Sequence, residues 1–134
     1  MSDLMASIGR VQLSKIEYFK NIRQNCVYNY IEEFSKIPEI GILKLNYQDI
    51  IPHIFSIKIL NGKVDLFRNY LLSNNIQFGM HYQPCHTVNF YKTKYNLHSA
   101  EKLHKQLVSI PLHPSLTESE VNFVIEKIKA FFTK

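Results

Sequence analysis

Ile76-Gln77-Phe78-Gly79-Met80-His81-Tyr82-Gln83-Pro84-Cys85-His86 is the stretch on which the reading of this chain turns. Ile76 to Phe78 reads as strand. Between Gly79 and His86 the chain then gathers two histidines, a tyrosine, a cysteine and a proline. A residue before proline is biased away from the α region, so the extended run over 76–82 should end in a turn at Pro84. A strand end that carries several polar side chains is a usual place for ligand contact. An HxxxxH spacing also arises by chance, and the residues alone leave both readings open.

Upstream, Lys63 to Asn74 has the period of an amphipathic helix, with Val64, Phe67 and Leu71 on its inner side. Asn61-Gly62 is a turn before it. Asn74-Asn75 can close it, because asparagine tolerates the left-handed conformation. His53-Ile54-Phe55-Ser56-Ile57-Lys58-Ile59 alternates apolar and polar side chains after Pro52, as a half-buried strand does. Ile42, Leu43 and Leu45, followed by a polar turn at 46–49, supply a neighbour. With a helix between them, 53–59 and 76–82 are expected in one sheet. His53 heads its strand, where a lone histidine is more often a hydrogen-bonded structural residue than a catalytic one.

The N-terminal residues 2–37 predict one long helix, straight or kinked. Leu4, Ile8, Val11, Ile16, Phe19, Ile22, Cys26, Tyr30 and Phe34 recur at steps of three and four or close to it. Ser2 is the expected N-cap, Asp3 suits the positive end of the helix dipole, and Pro38 stops the run. Gly9 is unfavourable inside a helix by about 1 kcal/mol unless a neighbour packs closely on it. So long a helix exceeds what a small domain can cover, and its first half is expected to pack on something else. The division read from this is 1–37, a helix leading into the domain, and 38–134, the domain itself.

Downstream, residues 87–97 have no clean period and read as a loop. Phe90, Tyr91 and Tyr95 there could line a pocket or fill a core. Residues 99–107 read as helix and 108–110 as a short strand stopped by Pro111. Thr117 with Glu120 forms a capping-box pattern before a last helix carrying Val121, Val124, Ile125, Ile128 and Phe132. His98 and His104 read as exposed, with no role. The sum is an α+β fold: a long N-terminal helix, then a small, mainly antiparallel sheet covered on one face by helices.

The 134 residues suffice for one core, and 46% hydrophobic with 20% charged residues argues against disorder. No apolar run approaches the roughly 18 residues of a membrane span, and no secretion signal opens the chain, so a cytoplasmic protein without membrane contact is expected. The net charge of +5 is spread thinly and forms no basic cluster, which speaks against nucleic acid. Cys26 and Cys85 are too few for a disulfide framework. His81, Cys85 and His86 could ligate zinc, but no second Cys/His pair completes a site. Cys85 beside His86 is poor geometry for a thiolate pair, since neighbours on an extended chain point apart. No phosphate-binding glycine loop and no G-x-S-x-G elbow is present.

Four segments in order do resemble one family. Met1-Ser2-Asp3-Leu4-Met5-Ala6-Ser7-Ile8-Gly9 with Val11-Gln12-Leu13 is similar to the start of the C-terminal region of the DegT/DnrJ/EryC1/StrS aminotransferases. His53-Ile54-Phe55 resembles their histidine-led strand. Gly79 to His86 resembles their G-x-H-Y-x-P-x-H segment, and Ser109-Ile110-Pro111-Leu112-His113-Pro114-Ser115-Leu116-Thr117-Glu118 their S-x-P-x-x-P-x-L-T-E run. The resemblance implies the small domain of a fold-type I enzyme that uses pyridoxal 5'-phosphate to aminate a nucleotide-linked keto-sugar, as in cell-surface polysaccharide or amino-sugar biosynthesis. It implies that His81, Tyr82 and His86 help bind the sugar nucleotide.

The Schiff-base lysine and the aspartate that pairs with the pyridine nitrogen lie, in the family, in a large domain upstream of these motifs. The resemblance therefore implies no catalytic residue here, no coenzyme bound by this chain alone, and a fragment from a split gene or shortened reading frame. Its partners would be a separately encoded large domain or further copies in an oligomer, with the sugar nucleotide and an amino donor as substrates. A stand-alone sugar-nucleotide-binding or subunit-interaction module is the other reading.

Overall fold

A computed structural model of the protein describes residues 2–91 and 95–133. Residues 92–94 of the expected aromatic loop lie outside the described residues, as do Met1 and Lys134.

The N-terminal run is helical but broken. Helix α1 spans Asp3–Ser14 and α2 spans Ile16–Phe34. Ser2 caps α1 through its hydroxyl, which accepts the Met5 N–H at 3.4 Å. The break falls at Lys15, whose backbone departs from helical values at φ −96° and ψ 0°, just after Ser14 donates its hydroxyl to the Val11 carbonyl at 2.8 Å. None of α1 is buried, and nothing stands within 4 Å of the place a side chain on Gly9 would occupy. Cys26, Val27, Tyr30 and Phe34 of α2 are buried. The apolar stripe is thus continuous in sequence, yet only its second half meets the core of this chain.

Strand β1 is Ile40–Ile42, β2 is Phe55–Ile59 and β3 is Leu107–Ile110; the sheet is antiparallel in the order β1-β2-β3. The alternation in β2 sends Phe55, Ile57 and Ile59 to the covered face and Ser56 and Lys58 to the other. On the covered face lie α2, α3 (Val64–Ser73) and α5 (Glu118–Phe132). Phe67 and Leu71 of α3 and Val124, Ile125 and Ile128 of α5 complete the core. Each large side chain fully buried there contributes about 1.5–3 kcal/mol. A short helix α4, His98–His104, precedes β3. Asn75, at φ 58°, makes the left-handed exit from α3. The Thr117–Glu120 capping box forms.

The expected strand at 76–82 does not form. Only Gly79 pairs, with Ser109 of β3, through backbone bonds of 2.8 and 2.9 Å. The cause lies in β3's outer edge. Two residues toward the C-terminus the next donor would be Pro111, which has no N–H. Two residues toward the N-terminus the Leu107 carbonyl already accepts Arg68 Nη2 at 3.2 Å. One pair fits between these stops. The helix expected over 99–107 ends instead at His104, and Leu107 joins the sheet.

Candidate functional site

Where 76–78 leaves β3, a cavity of about 600 Å³ opens between this segment, the end of β3 and the first turns of α5. Ile76, Phe78, Ile110 and Val124 give it an apolar wall; His53, His81, His113, Ser109 and Glu120 supply polar groups. Tyr30 in the core donates its hydroxyl to the Pro111 carbonyl at 3.0 Å and so holds the rim. The Glu120 carboxylate lies below the usual carboxylate range, first because Thr117 donates its backbone N–H to it, then through the Thr117 hydroxyl, with His113 adding positive potential.

The segment from Gly79 to Thr87 is tied at several points. His81 Nδ1 is 2.8 Å from the Ser109 hydroxyl. His104 of α4 donates Nδ1–H to the Tyr82 carbonyl at 3.1 Å, and His86 Nε2 lies 3.1 Å from Glu101 Oε1 on the same helix. A 3-10 turn at Cys85–Thr87 follows, where the Thr87 hydroxyl donates to the Pro84 carbonyl at 2.7 Å. His104 is therefore half-buried and engaged, not the idle surface residue its sequence context suggested. A short stretch with this many anchors is a rigid platform rather than a loose loop.

Of the three residues expected to bind substrate, only His81 lines the cavity. The Tyr82 side chain stands out at 73% exposure, its ring edge-on to His81 at 4.8 Å between centroids. The His86 side chain is 12% exposed and turned to α4. Cys85 is exposed, and among the described residues no three His, Cys, Asp or Glu side chains are placed to share a metal ion. Phe90, Tyr91 and Tyr95 are exposed at 86, 62 and 69% and belong to neither the core nor the cavity wall. Ser109, His113 and Glu120 were not foreseen as site residues. The one signal was Ser109 in a strand otherwise buried and apolar, since a buried hydroxyl needs a partner.

A family model described as the DegT/DnrJ/EryC1/StrS aminotransferase family matches residues 1–129. The chain belongs to that family. Among curated relatives, the dTDP-4-dehydro-2,3,6-trideoxy-D-glucose 4-aminotransferase of Saccharopolyspora spinosa is 30% identical over 131 residues, covering 96% of this chain and 34% of that one. The UDP-4-amino-4,6-dideoxy-N-acetyl-beta-L-altrosamine transaminase of Campylobacter jejuni is 27% identical over 142 residues, covering 100% and 38%. Among solved structures, Spr1654 of Streptococcus pneumoniae in its PLP form superimposes with a TM-score of 0.87 at 24% identity, covering 99% of this chain and 36% of that one. The chain thus spans about a third of the length of these relatives. It corresponds to the C-terminal domain of such an aminotransferase, and its α+β fold is shared with fold-type I enzymes.

Pyridoxal phosphate is held in such enzymes as a Schiff base on a lysine amine. No lysine lines the cavity beside His81; its donors are imidazoles, hydroxyls and one carboxylate. These residues do not fit the coenzyme by themselves.

Proposed function

We propose that this chain forms the sugar-nucleotide-facing wall of a pyridoxal-phosphate aminotransferase acting on a nucleotide-linked keto-sugar, and that turnover requires the remaining two-thirds of such an enzyme. The observation that carries this is the family match along nearly the whole chain, joined to a platform at 79–87 that holds Tyr82 out at 73% exposure and His81 in the cavity wall. The relatives' names support the substrate class: both act at C4 of a sugar carried on dTDP or UDP.

In this reading His81, Tyr82 and His86 belong to the wall. Tyr82 gives a ring face for the sugar and a hydroxyl for its oxygens. His81 gives an imidazole nitrogen. His86, braced by Glu101, keeps the platform in place behind them. The bare apolar side of α1, with Leu4, Ile8 and Val11 at 71, 51 and 53% exposure, receives the large domain, whether this stands in another chain or in the same one. Amino-sugar formation for cell-surface polysaccharide is the process this activity would serve.

The test is reconstitution. The chain is mixed with pyridoxal phosphate, glutamate and a UDP-linked 4-keto-sugar, alone and with the large domain of the Campylobacter jejuni relative, cut where that protein aligns with Met1. Amino-sugar should form only in the second mixture, and Tyr82→Ala should reduce it at least tenfold. Turnover by the chain alone, or no turnover from a folded and associated pair, defeats the proposal.

A further inference from the structure

On the uncovered side of the sheet, neighbouring backbones set Ser56, Ser109 and Gly79 in one row. The Ser109 N–H and carbonyl are both directed to Gly79. Ser56 and Ser109 are therefore the kind of antiparallel pair that exchanges no backbone bonds, whose side chains come closest. Their hydroxyls meet at 2.7 Å. Gly79 has no side chain, and the His81 imidazole, two residues on and on the same side, folds back into the space. A methyl carbon at Gly79 would overlap His81 Cε1 and stand 3.0 Å from Nδ1. There Nδ1 reaches the Ser109 hydroxyl at 2.8 Å. Ser109 is 7% exposed, and among the described residues it is the one buried side chain outside the apolar and aromatic classes.

We propose that Ser109, backed by Ser56, is a positioning residue for His81: the serine pair engages Nδ1 and leaves Nε2 as the nitrogen offered to the hydroxyl and diphosphate oxygens of a sugar nucleotide. The inference rests on the reading of His81 as a sugar-facing side chain. Its physics is independent of that reading. A neutral imidazole has one donor and one acceptor nitrogen, and the hydrogen bond made by one fixes the role of the other. A lone serine hydroxyl rotates freely and would select neither form. Ser56 couples the choices: a Ser109 hydroxyl that accepts from Ser56 is free to donate to Nδ1, and one that donates to Ser56 must accept from Nδ1, so the ring changes tautomer only if both hydroxyls turn with it. Nε2 has no hydrogen-bond partner among the described residues. Gly79 is the third part of the device, because the ring can reach Ser109 only across a residue without a side chain.

The test uses the whole chain with ¹⁵N-labelled histidine, at a pH above the ordinary imidazole range. Wild type is compared with Ser109→Ala, Ser109→Thr, Ser56→Ala and Gly79→Ala. In wild type the two ring nitrogens of His81 should resonate far apart, at single-tautomer positions, and Ser109→Thr should keep them there. In Ser109→Ala and Gly79→Ala both should move toward the averaged positions of free histidine, and in Ser56→Ala by a smaller amount. Unmoved shifts in Ser109→Ala and Gly79→Ala, or averaged shifts already in wild type, overturn the proposal. If Ser109→Ala does not fold, Gly79→Ala decides, since it leaves both serines and ejects the ring by overlap alone. UDP-N-acetylglucosamine is then added to the wild type. Single-tautomer shifts with no response to this probe count against the proposed function while the serine device stands.

Discussion

Cys26 and Cys85 are equivalent as letters and opposite as thiols. Cys26 lies on the inner side of α2 at 5% exposure, and burial pushes its thiol up to about 11, with the hydrogen bond to Tyr30 pulling the other way. Burial likewise raises the Tyr30 hydroxyl. Since the thiolate is the reactive form, Cys26 should be inert while the protein is folded. A disulfide reagent at neutral pH should label one thiol in the native chain, at exposed Cys85, and both in urea. Prompt labelling of both in the native state would contradict the burial of Cys26. The helical period placed Cys26 inward from sequence alone. The segment at 81–86 was also visible as a place of interest. Which way each side chain turns was not, because Ser109, Glu101 and His104 reach it from distant parts of the chain.

Among the elements, α5 is the one whose start is written most plainly. Thr117 and Glu120 satisfy each other's backbone N–H groups, at 3.3 and 2.8 Å. Thr117→Ala should lower stability by ~1 kcal/mol, the usual cost of losing such a cap. A urea midpoint equal to wild type would show that the cap contributes nothing. The strand expected at 76–82 makes the opposite case. Its own residues suit a strand, yet Pro111 and the occupied Leu107 carbonyl leave it one partner, at Ser109. The cavity lies where that pairing stops, so the failure of local propensity and the candidate site fall at one place.

For the molecule as a whole, Glu33 joins two helices that are far apart in sequence. It takes an ion pair from Lys129 of α5 at 2.5 Å and another from Lys36 at 2.5 Å. These bonds, Lys129 first, lower its carboxyl to about 2. The unfolded chain takes up this proton near the ordinary carboxylate value, and the folded chain only near 2. The contribution is therefore complete above the ordinary value and is lost as pH falls toward 2. Solvent screening keeps it small. Glu33→Gln should flatten the fall of stability with acid over that interval, measured by urea unfolding at several pH values. An unchanged slope would mean that the pair does not couple α2 to α5 in solution.

By its residues alone the chain settled the inner faces of α2, α3 and α5, the start of α5, the alternation in β2 and, through four ordered motifs, its family. Tertiary structure decided where the long N-terminal helix breaks from the core, that 76–82 pairs only once, and that His81 enters a cavity while Tyr82 and His86 do not. A helix closes its hydrogen bonds within a few residues, so its evidence is local. A strand exists only through the free backbone groups of a partner, and here that partner lies roughly 30 residues downstream with a proline at the deciding position.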